Sequence, residues 1–221
     1  MEPQIDIPAR LARYAVTRDA RDLWPEVSAS AFQAAQREMV RVTAAVLAGA
    51  PSPVRLELPR DADTRALGVA ASVAGMGPLL GFWCATGRID AQESVLDLLA
   101  RHLDHGRRRA ARLRQELERI VVPFADRGIE VLVLKGTDTS YRYFPEPGTR
   151  PSSDLDLLVA PHDVAAARTV LRNLGFAEEG PGHGDRYRST WTHPGVDGVR
   201  SLAYQTAKVT ANAMAKAMVV L

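Results

Sequence analysis

The stretch that decides the fold covers residues 129–159 and reads IEVLVLKGTDTSYRYFPEPGTRPSSDLDLLV. Residues 129–134 are almost all apolar, with β-branched side chains among them, which predicts a buried strand. The Lys135–Gly136 pair then turns the chain into a predicted short helix over residues 137–144. Residues 154–159 form a second apolar run that contains two acids near its start. The stretch therefore predicts two strands that are joined by a short helix and a proline-containing loop.

Two carboxylates lie at the start of the second predicted strand. Asp154 and Asp156 are two positions apart, so both side chains leave the same face of the strand, within about 7 Å of each other. Carboxylates that lie so close repel each other unless a cation sits between them. Magnesium suits this position, because it is a hard ion that prefers oxygen ligands and keeps positions open for water and phosphates. The pair therefore predicts a site for a divalent cation.

Lys135, Gly136 and Arg150, which precede the two aspartates in the sequence, suit the binding of phosphate groups. The turn at Lys135 and Gly136 offers backbone N–H groups and a helix N-terminus, both of which bind anions. Arg150 carries a planar guanidinium that pairs with phosphate oxygens. Each feature alone is common, since Asp-x-Asp pairs and glycines often mark strand ends. Their order along one stretch predicts a site for a metal-bound nucleoside triphosphate.

Composition limits the other functions that the chain could have. It has 221 residues, 46% of them apolar, and 28 basic against 26 acidic residues. A chain of this length can bury its own core, and its nearly balanced charge gives nucleic-acid binding no support. Its single cysteine, Cys84, excludes an intramolecular disulfide and a cysteine-rich metal site. With no secretory signal and no regular apolar stretch of spanning length, we expect a soluble, cytoplasmic protein.

The hydrophobic periodicity changes at Gly128 and divides the chain into three regions. Residues 1–127 are predicted to be helical, residues 128–204 to form the core that contains the strands, and residues 205–221 to be a helical tail. The predicted helices of the first region cover residues 28–48, 64–74 and 78–86 and a long stretch from Asp90. The further predicted strands cover residues 187–193 and 196–204, joined by a Pro-Gly turn. The predicted fold class is α+β: a helical N-terminal half followed by a small mixed sheet.

Residues 131–176 resemble the core of the uncharacterised nucleotidyltransferase family, which belongs to the polymerase-β-like nucleotidyltransferase superfamily. The motifs that carry the resemblance are Leu134-Lys135-Gly136, Tyr143-Phe144-Pro145 followed by Arg150, and Asp154-Leu155-Asp156. The general layout agrees over residues 90–176, where a long helix leads into the first strand. The resemblance implies a polymerase-β palm-like core that transfers a nucleoside monophosphate from a nucleoside triphosphate to an acceptor and releases pyrophosphate.

The resemblance also implies a role for each candidate site residue. Asp154 and Asp156 would be catalytic and would hold two divalent ions, Mg²⁺ or Mn²⁺. Gly136 would cradle the phosphates with backbone N–H groups, while Lys135 and Arg150 would offset the phosphate charge. Nucleotidyl transfer asks a protein mainly for positioning and charge stabilisation, which this set supplies. The expected partners are a nucleoside triphosphate and an unknown acceptor, which is a small molecule or a protein rather than a nucleic acid. No interaction with a membrane is expected.

One residue that the superfamily resemblance implies is missing from its expected place. A third carboxylate is expected on a later strand, but residues 199–204 contain no acid. Asp185, in the glycine-rich segment before the strands, and Asp197, in the turn PGVDG, are the remaining weak candidates. The composition also changes beyond Arg200, and we interpret residues 205–221 as divergent or truncated. The alternative to an enzyme is therefore a catalytically degenerate nucleotide-binding or regulatory protein of the same fold.

Two other features have more than one interpretation. Arginines cluster on the long helix over residues 107–119, which suits an acidic acceptor, but the interleaved acids favour ion pairs on a solvated face. Tyr141 and Tyr143 could stack on a nucleotide base or pack into the core. A third possible function, an interaction module, would reside in residues 1–127.

Overall fold

The computed structural model describes residues 7–19, 22, 25–51, 53–60, 62–179, 188–193 and 201–205. The chain divides into two compact units, Met1–Asp104 and His105–Leu221. The boundary falls inside the helix α5 (Glu93–Ala125), so each unit contains a part of that helix.

The first unit consists mainly of helices. They are α1 (Ile7–Thr17), α2 (Ala29–Leu47), α3 (Thr64–Val73), α4 (Gly77–Ala85) and the first part of α5. The three shorter helices predicted before α5 are thereby confirmed. The starts of α2 and α3 follow from capping: Ser28 Oγ accepts the Ala31 N–H at 3.1 Å, and Asp63 Oδ1 accepts the Ala66 N–H at 2.8 Å.

A small sheet corrects the prediction that residues 1–127 are entirely helical. Its two parallel strands are β1 (Val54–Leu56) and β2 (Ile89–Ala91). Val54 and Leu56 are buried while Arg55 between them is exposed, which is the two-residue period of a strand. Three residues are too few for this period to be recognised among the neighbouring prolines and charges. The long helix accordingly starts at Glu93, since Asp90 belongs to β2.

A buried carboxylate connects α2 to the segment after β1. Glu38 is 9% exposed and accepts hydrogen bonds from Arg41 Nε and Nη2, each at 2.7 Å. It also accepts the backbone N–H of Glu57 at 2.8 Å. Burial opposes ionisation, but these donors outweigh it and lower the pKa of Glu38 below its usual value. The first unit therefore favours the ionised carboxylate.

Apolar side chains from the helices and the small sheet form the core of the first unit. Its fully buried leucines include Leu56, Leu67, Leu80 and Leu99.

In the described part of the chain, no single helix has both the length and the apolar character to cross a membrane. Among the described helices, only α3 and α4 taken together have that length and apolar character, and the two helices are bent by 116° relative to each other.

The second unit is built around a five-stranded mixed sheet. Its elements after α5 are β3 (Val131–Leu134), α6 (Lys135–Tyr143), β4 (Asp154–Val159), α7 (Val164–Asn173), β5 (Ala177–Glu179), β6 (Arg188–Thr192) and β7 (Ser201–Gln205). The strand order is β3-β4-β7-β6-β5, in which β4 and β7 are parallel and the other neighbours antiparallel. Helices combined with a small mixed sheet give the α+β fold class that the sequence predicts.

Several predictions for the C-terminal part fall on residues outside the described ones. These are the Pro194-Gly195 turn, the candidates Asp185 and Asp197, and residues 206–221 of the predicted tail. Gln205, the first residue of that tail, belongs to β7. The antiparallel pairing of β6 with β7 confirms that the two predicted strands are neighbours.

One face of the strand β4 packs into the core, and the other face carries the two aspartates of the candidate site. Leu155, Leu157 and Val159 are almost completely buried and belong to the core of the second unit. Phe124 of α5 and Trp191 of β6 are buried in the same core. Alternation along the strand gives the intervening positions, which include both aspartates, to the opposite face.

Candidate functional site

A cavity of about 350 Å³ opens beside the first residues of α6 and β4. The residues that line it are Arg109, Lys135, Gly136, Arg150, Pro151, Ser152, Ser153, Asp154 and Asp156. The structure thus brings together all five residues that the sequence singles out as metal or nucleotide ligands. It also adds four that the sequence did not assign to the site: Arg109 of α5 and, in the loop before β4, Pro151, Ser152 and Ser153.

Strand pairing determines where the two aspartates lie. Asp156 is opposite Leu134 of β3 and Ala203 of β7, and Asp154 is opposite Ser201 of β7. Asp156 is only 5% exposed, whereas Asp154 is half-buried. Because β4 has hydrogen-bonded neighbours on both sides, a shift in register would be costly, and the spacing of the aspartates is well defined.

Lys135 is the first residue of α6 and has an unusual backbone conformation. Its φ of 52° lies in the left-handed region, which costs a side-chain-bearing residue about 1–2 kcal/mol. Lys135 directly follows Leu134, which is paired with Asp156, and its Nζ lies 3.3 Å from Asp156 Oδ1. The lysine side chain is 52% exposed, while that of Asp156 is 6% exposed. A half-exposed ammonium group is therefore paired with a buried carboxylate.

Gly136 occupies a position where a side chain does not fit. A Cβ at this residue would lie 2.6 Å from Ser152 Oγ and 2.8 Å from Arg150 Nη1. The first N–H groups of a helix have no partner within it, and no side chain caps the start of α6. The absence of a Cβ allows Ser152 and Arg150 to approach this helix end closely.

The loop between α6 and β4 is held against α5 within the second unit. Glu146 accepts two hydrogen bonds from the Arg107 guanidinium, at 2.6 and 3.0 Å. Gly148 lies so near that a Cβ there would be 2.8 Å from Arg107 Cα. Thr149 Oγ1 donates to the Glu146 carbonyl at 2.7 Å and closes a turn. Since Arg150 follows at once, these contacts determine the point from which its side chain reaches the cavity.

The strand β7 pairs with β4 but contributes no third carboxylate opposite Asp154 and Asp156. The positions of β7 opposite Asp154 and Asp156 are occupied by Ser201 and Ala203. Within the described ranges, no group of three or more His, Cys, Asp or Glu residues could hold a metal ion. Asp185 and Asp197 lie outside those ranges.

The arginine cluster of α5 has several different roles. Arg114 pairs with Glu118 at 2.8 Å and Arg119 with Glu116 at 3.2 Å, as the interpretation as helical ion pairs predicts. Arg109 of the same cluster lines the cavity. It follows the Arg107 contact point by two residues, and nothing in the helical pattern distinguishes it from its neighbours. Only the tertiary fold shows that this arginine belongs to the site.

The two tyrosines of α6 do not pack into the core. Tyr141 is 51% exposed and Tyr143 is 72% exposed, and neither lines the cavity described above. The core-packing interpretation is therefore wrong for both residues.

Comparison with known protein families matches residues 63–209 to the family described as "Uncharacterised nucleotidyltransferase". The match includes every described residue of the cavity wall and extends into the helices α3 and α4 of the first unit. No curated protein and no solved structure matches the chain. The family match covers well over half of the 221 residues. The chain belongs to the uncharacterised nucleotidyltransferase family.

Proposed function

We propose that this protein is a metal-dependent nucleotidyltransferase with a polymerase-β palm-like core. It would transfer a nucleoside monophosphate from a nucleoside triphosphate to an acceptor, a small molecule or a protein, and release pyrophosphate. The observation that carries the proposal is that Asp154, Asp156, Lys135, Gly136 and Arg150 surround one cavity in a member of this family.

The chemistry of the cavity suits a divalent cation. Asp154 and Asp156 offer carboxylate oxygens, the hard ligands that Mg²⁺ and Mn²⁺ prefer. The Lys135 ammonium already lies 3.3 Å from one of these oxygens, so the position attracts positive charge. Asp154 and Asp156 would hold the metal ions, which when bound would neutralise phosphate charge and activate the acceptor oxygen.

The other residues of the cavity would bind and orient the triphosphate. The N–H groups at the start of α6 would donate to phosphate oxygens, which can approach closely because Gly136 has no side chain. Lys135 and Arg150 would pair with further phosphate oxygens. The acceptor oxygen would form a bond to the α-phosphorus as the bond to the bridging oxygen of the leaving pyrophosphate breaks. The acceptor proton would pass to solvent.

The test compares three variants of the full chain that each replace one aspartate by asparagine. Asp154→Asn and Asp156→Asn each remove a negative charge from the cavity. The control, Asp138→Asn, removes a negative charge from α6 that pairs with Arg142 and does not line the cavity. Binding of ATP, GTP, CTP and UTP is measured by calorimetry with and without Mg²⁺, and release of pyrophosphate is followed with the same nucleotides. We expect the first two variants to lose at least about tenfold of the Mg²⁺-dependent affinity and the third to retain it. Unchanged affinity and turnover in both cavity variants would refute the proposal.

A second candidate function is nucleotide binding without transfer. It is favoured by the residues opposite the aspartates on β7, Ser201 and Ala203, neither of which can replace a carboxylate. This candidate predicts Mg²⁺-dependent nucleotide binding by the wild-type chain with no pyrophosphate release, whichever small molecule or protein is supplied as acceptor. Pyrophosphate release that Asp154→Asn abolishes would exclude it.

A further inference from the structure

We propose that Arg109 of α5 is a third cationic ligand of the cavity and that it binds the phosphate chain of the nucleotide. This inference rests on the proposed function, because it names a further residue of the same site. It goes beyond the sequence motifs, since Arg109 lies on a helix that precedes all of them. The ligand class that it identifies is an inorganic or nucleoside polyphosphate.

The helix that carries Arg109 contacts the loop before β4. Two residues earlier on α5, Arg107 donates both ends of its guanidinium fork to Glu146. The backbone at Arg107 also leaves no room for a side chain at Gly148. The helix that carries Arg109 and the loop that leads to Arg150 are therefore joined directly. Both arginines reach one cavity from these joined segments.

The charge of the cavity wall supports a polyanionic ligand. Three cationic side chains, Arg109, Lys135 and Arg150, line it together with two carboxylates, so one positive charge is in excess before any metal ion binds. Lys135 Nζ lies 3.3 Å from Asp156 Oδ1, and the two arginines add two guanidinium groups to the same cavity wall. A guanidinium binds two oxygens at once, so two arginines on different segments suit an extended phosphate chain better than a single phosphate.

The experiment measures binding of inorganic triphosphate and of orthophosphate, each with Mg²⁺, to the full chain by calorimetry. The variants are Arg109→Ala and Arg109→Lys. The matched control is Arg114→Ala, which removes an exposed arginine of the same helix that pairs with Glu118 and does not line the cavity. A charge-assisted contact that is partly open to solvent predicts about a tenfold loss of triphosphate affinity in Arg109→Ala. Arg109→Lys should lose less, because the charge remains, and the control should bind like wild type.

Each outcome decides the inference. A loss of triphosphate affinity confined to the Arg109 variants, with thermal stability retained, supports it. Equal triphosphate affinity of Arg109→Ala and wild type overturns it, as does a wild-type chain that binds neither phosphate. The inference and the proposed function fail separately: a chain that binds triphosphate through Arg109 but never releases pyrophosphate from a nucleotide refutes only the transferase activity.

Discussion

Gly136→Ala should weaken nucleotide binding while it leaves the stability of the fold nearly unchanged. The added Cβ would lie 2.6 Å from Ser152 Oγ and 2.8 Å from Arg150 Nη1, distances that a Cβ does not tolerate. Both side chains must therefore move away from the first turn of α6. On the proposed function, this movement takes the Arg150 guanidinium away from the phosphate oxygens that it binds.

The expected change in stability is small because two effects oppose each other. Overpacking costs about 1–3 kcal/mol, and the lower end applies here because the atoms that must move are the ends of side chains. Alanine is about 1 kcal/mol more favourable than glycine within a helix. The φ of Gly136 is outside the left-handed region, so alanine is also allowed there. Displacement of one charge-assisted contact costs about 1.5–3 kcal/mol of binding, or roughly 10- to 150-fold in affinity.

The assay combines calorimetric titration of ATP with Mg²⁺ and urea unfolding, on the variant and on two control substitutions. In Gly68→Ala the new Cβ would be 3.4 Å from Leu98 Cδ1, an ordinary contact, so affinity and stability should both be retained. In Gly81→Ala it would overlap the backbone carbonyl of Leu99, so stability should fall by several kcal/mol. Unchanged nucleotide affinity in a stable Gly136→Ala protein would refute the placement of the phosphates at the start of α6. A large loss of stability would refute the freedom of Ser152 and Arg150 to move.

Three further predictions concern other parts of the chain. Glu38→Gln should lower the free energy of unfolding at pH 7 by about 2 kcal/mol, because the amide cannot accept both Arg41 nitrogens and the Glu57 N–H. Folding lowers the pKa of Glu38, so the stabilisation by its carboxylate is complete above the unfolded-state pKa of about 4.3 and is lost as the pH falls through the folded-state pKa. Urea titrations should therefore show a smaller difference in unfolding free energy between Glu38→Gln and wild type at pH 3 than at pH 7. Burial raises the pKa of Cys84 to about 11, so iodoacetamide at pH 8 should alkylate the folded chain on the order of a hundredfold more slowly than the urea-unfolded chain, and equal rates would contradict this. Lys135→Gly should be about 1 kcal/mol more stable to urea than Lys135→Ala, because the φ of 52° favours glycine, and equal stability would argue against the left-handed backbone.

The sequence predicts the local elements around the site well, because each is specified by neighbouring residues. The strand β4 covers the predicted residues 154–159, and the apolar alternation there is strong. The helix α6 begins at Lys135, two residues before the predicted start. The reason for the difference is that Lys135 adopts the left-handed conformation itself, whereas local preference gives such a conformation to glycine.

The features that the sequence does not predict depend on contacts between distant segments. The short strands β1, β2 and β5 have three residues each, and pairing rather than residue preference defines them. The same holds for Arg109, which lines the same cavity as Arg150 although α5 precedes that loop by many residues.

The parallel pairing of β4 with β7 has a consequence for synthesis of the chain. The strand with the two aspartates receives its second neighbour only when residues 201–205 have left the ribosome, more than forty residues after β4 itself. Until then one edge of β4 exposes unpaired N–H and C=O groups, which can join another strand. A nascent or shortened chain that lacks β7 should therefore self-associate through β4.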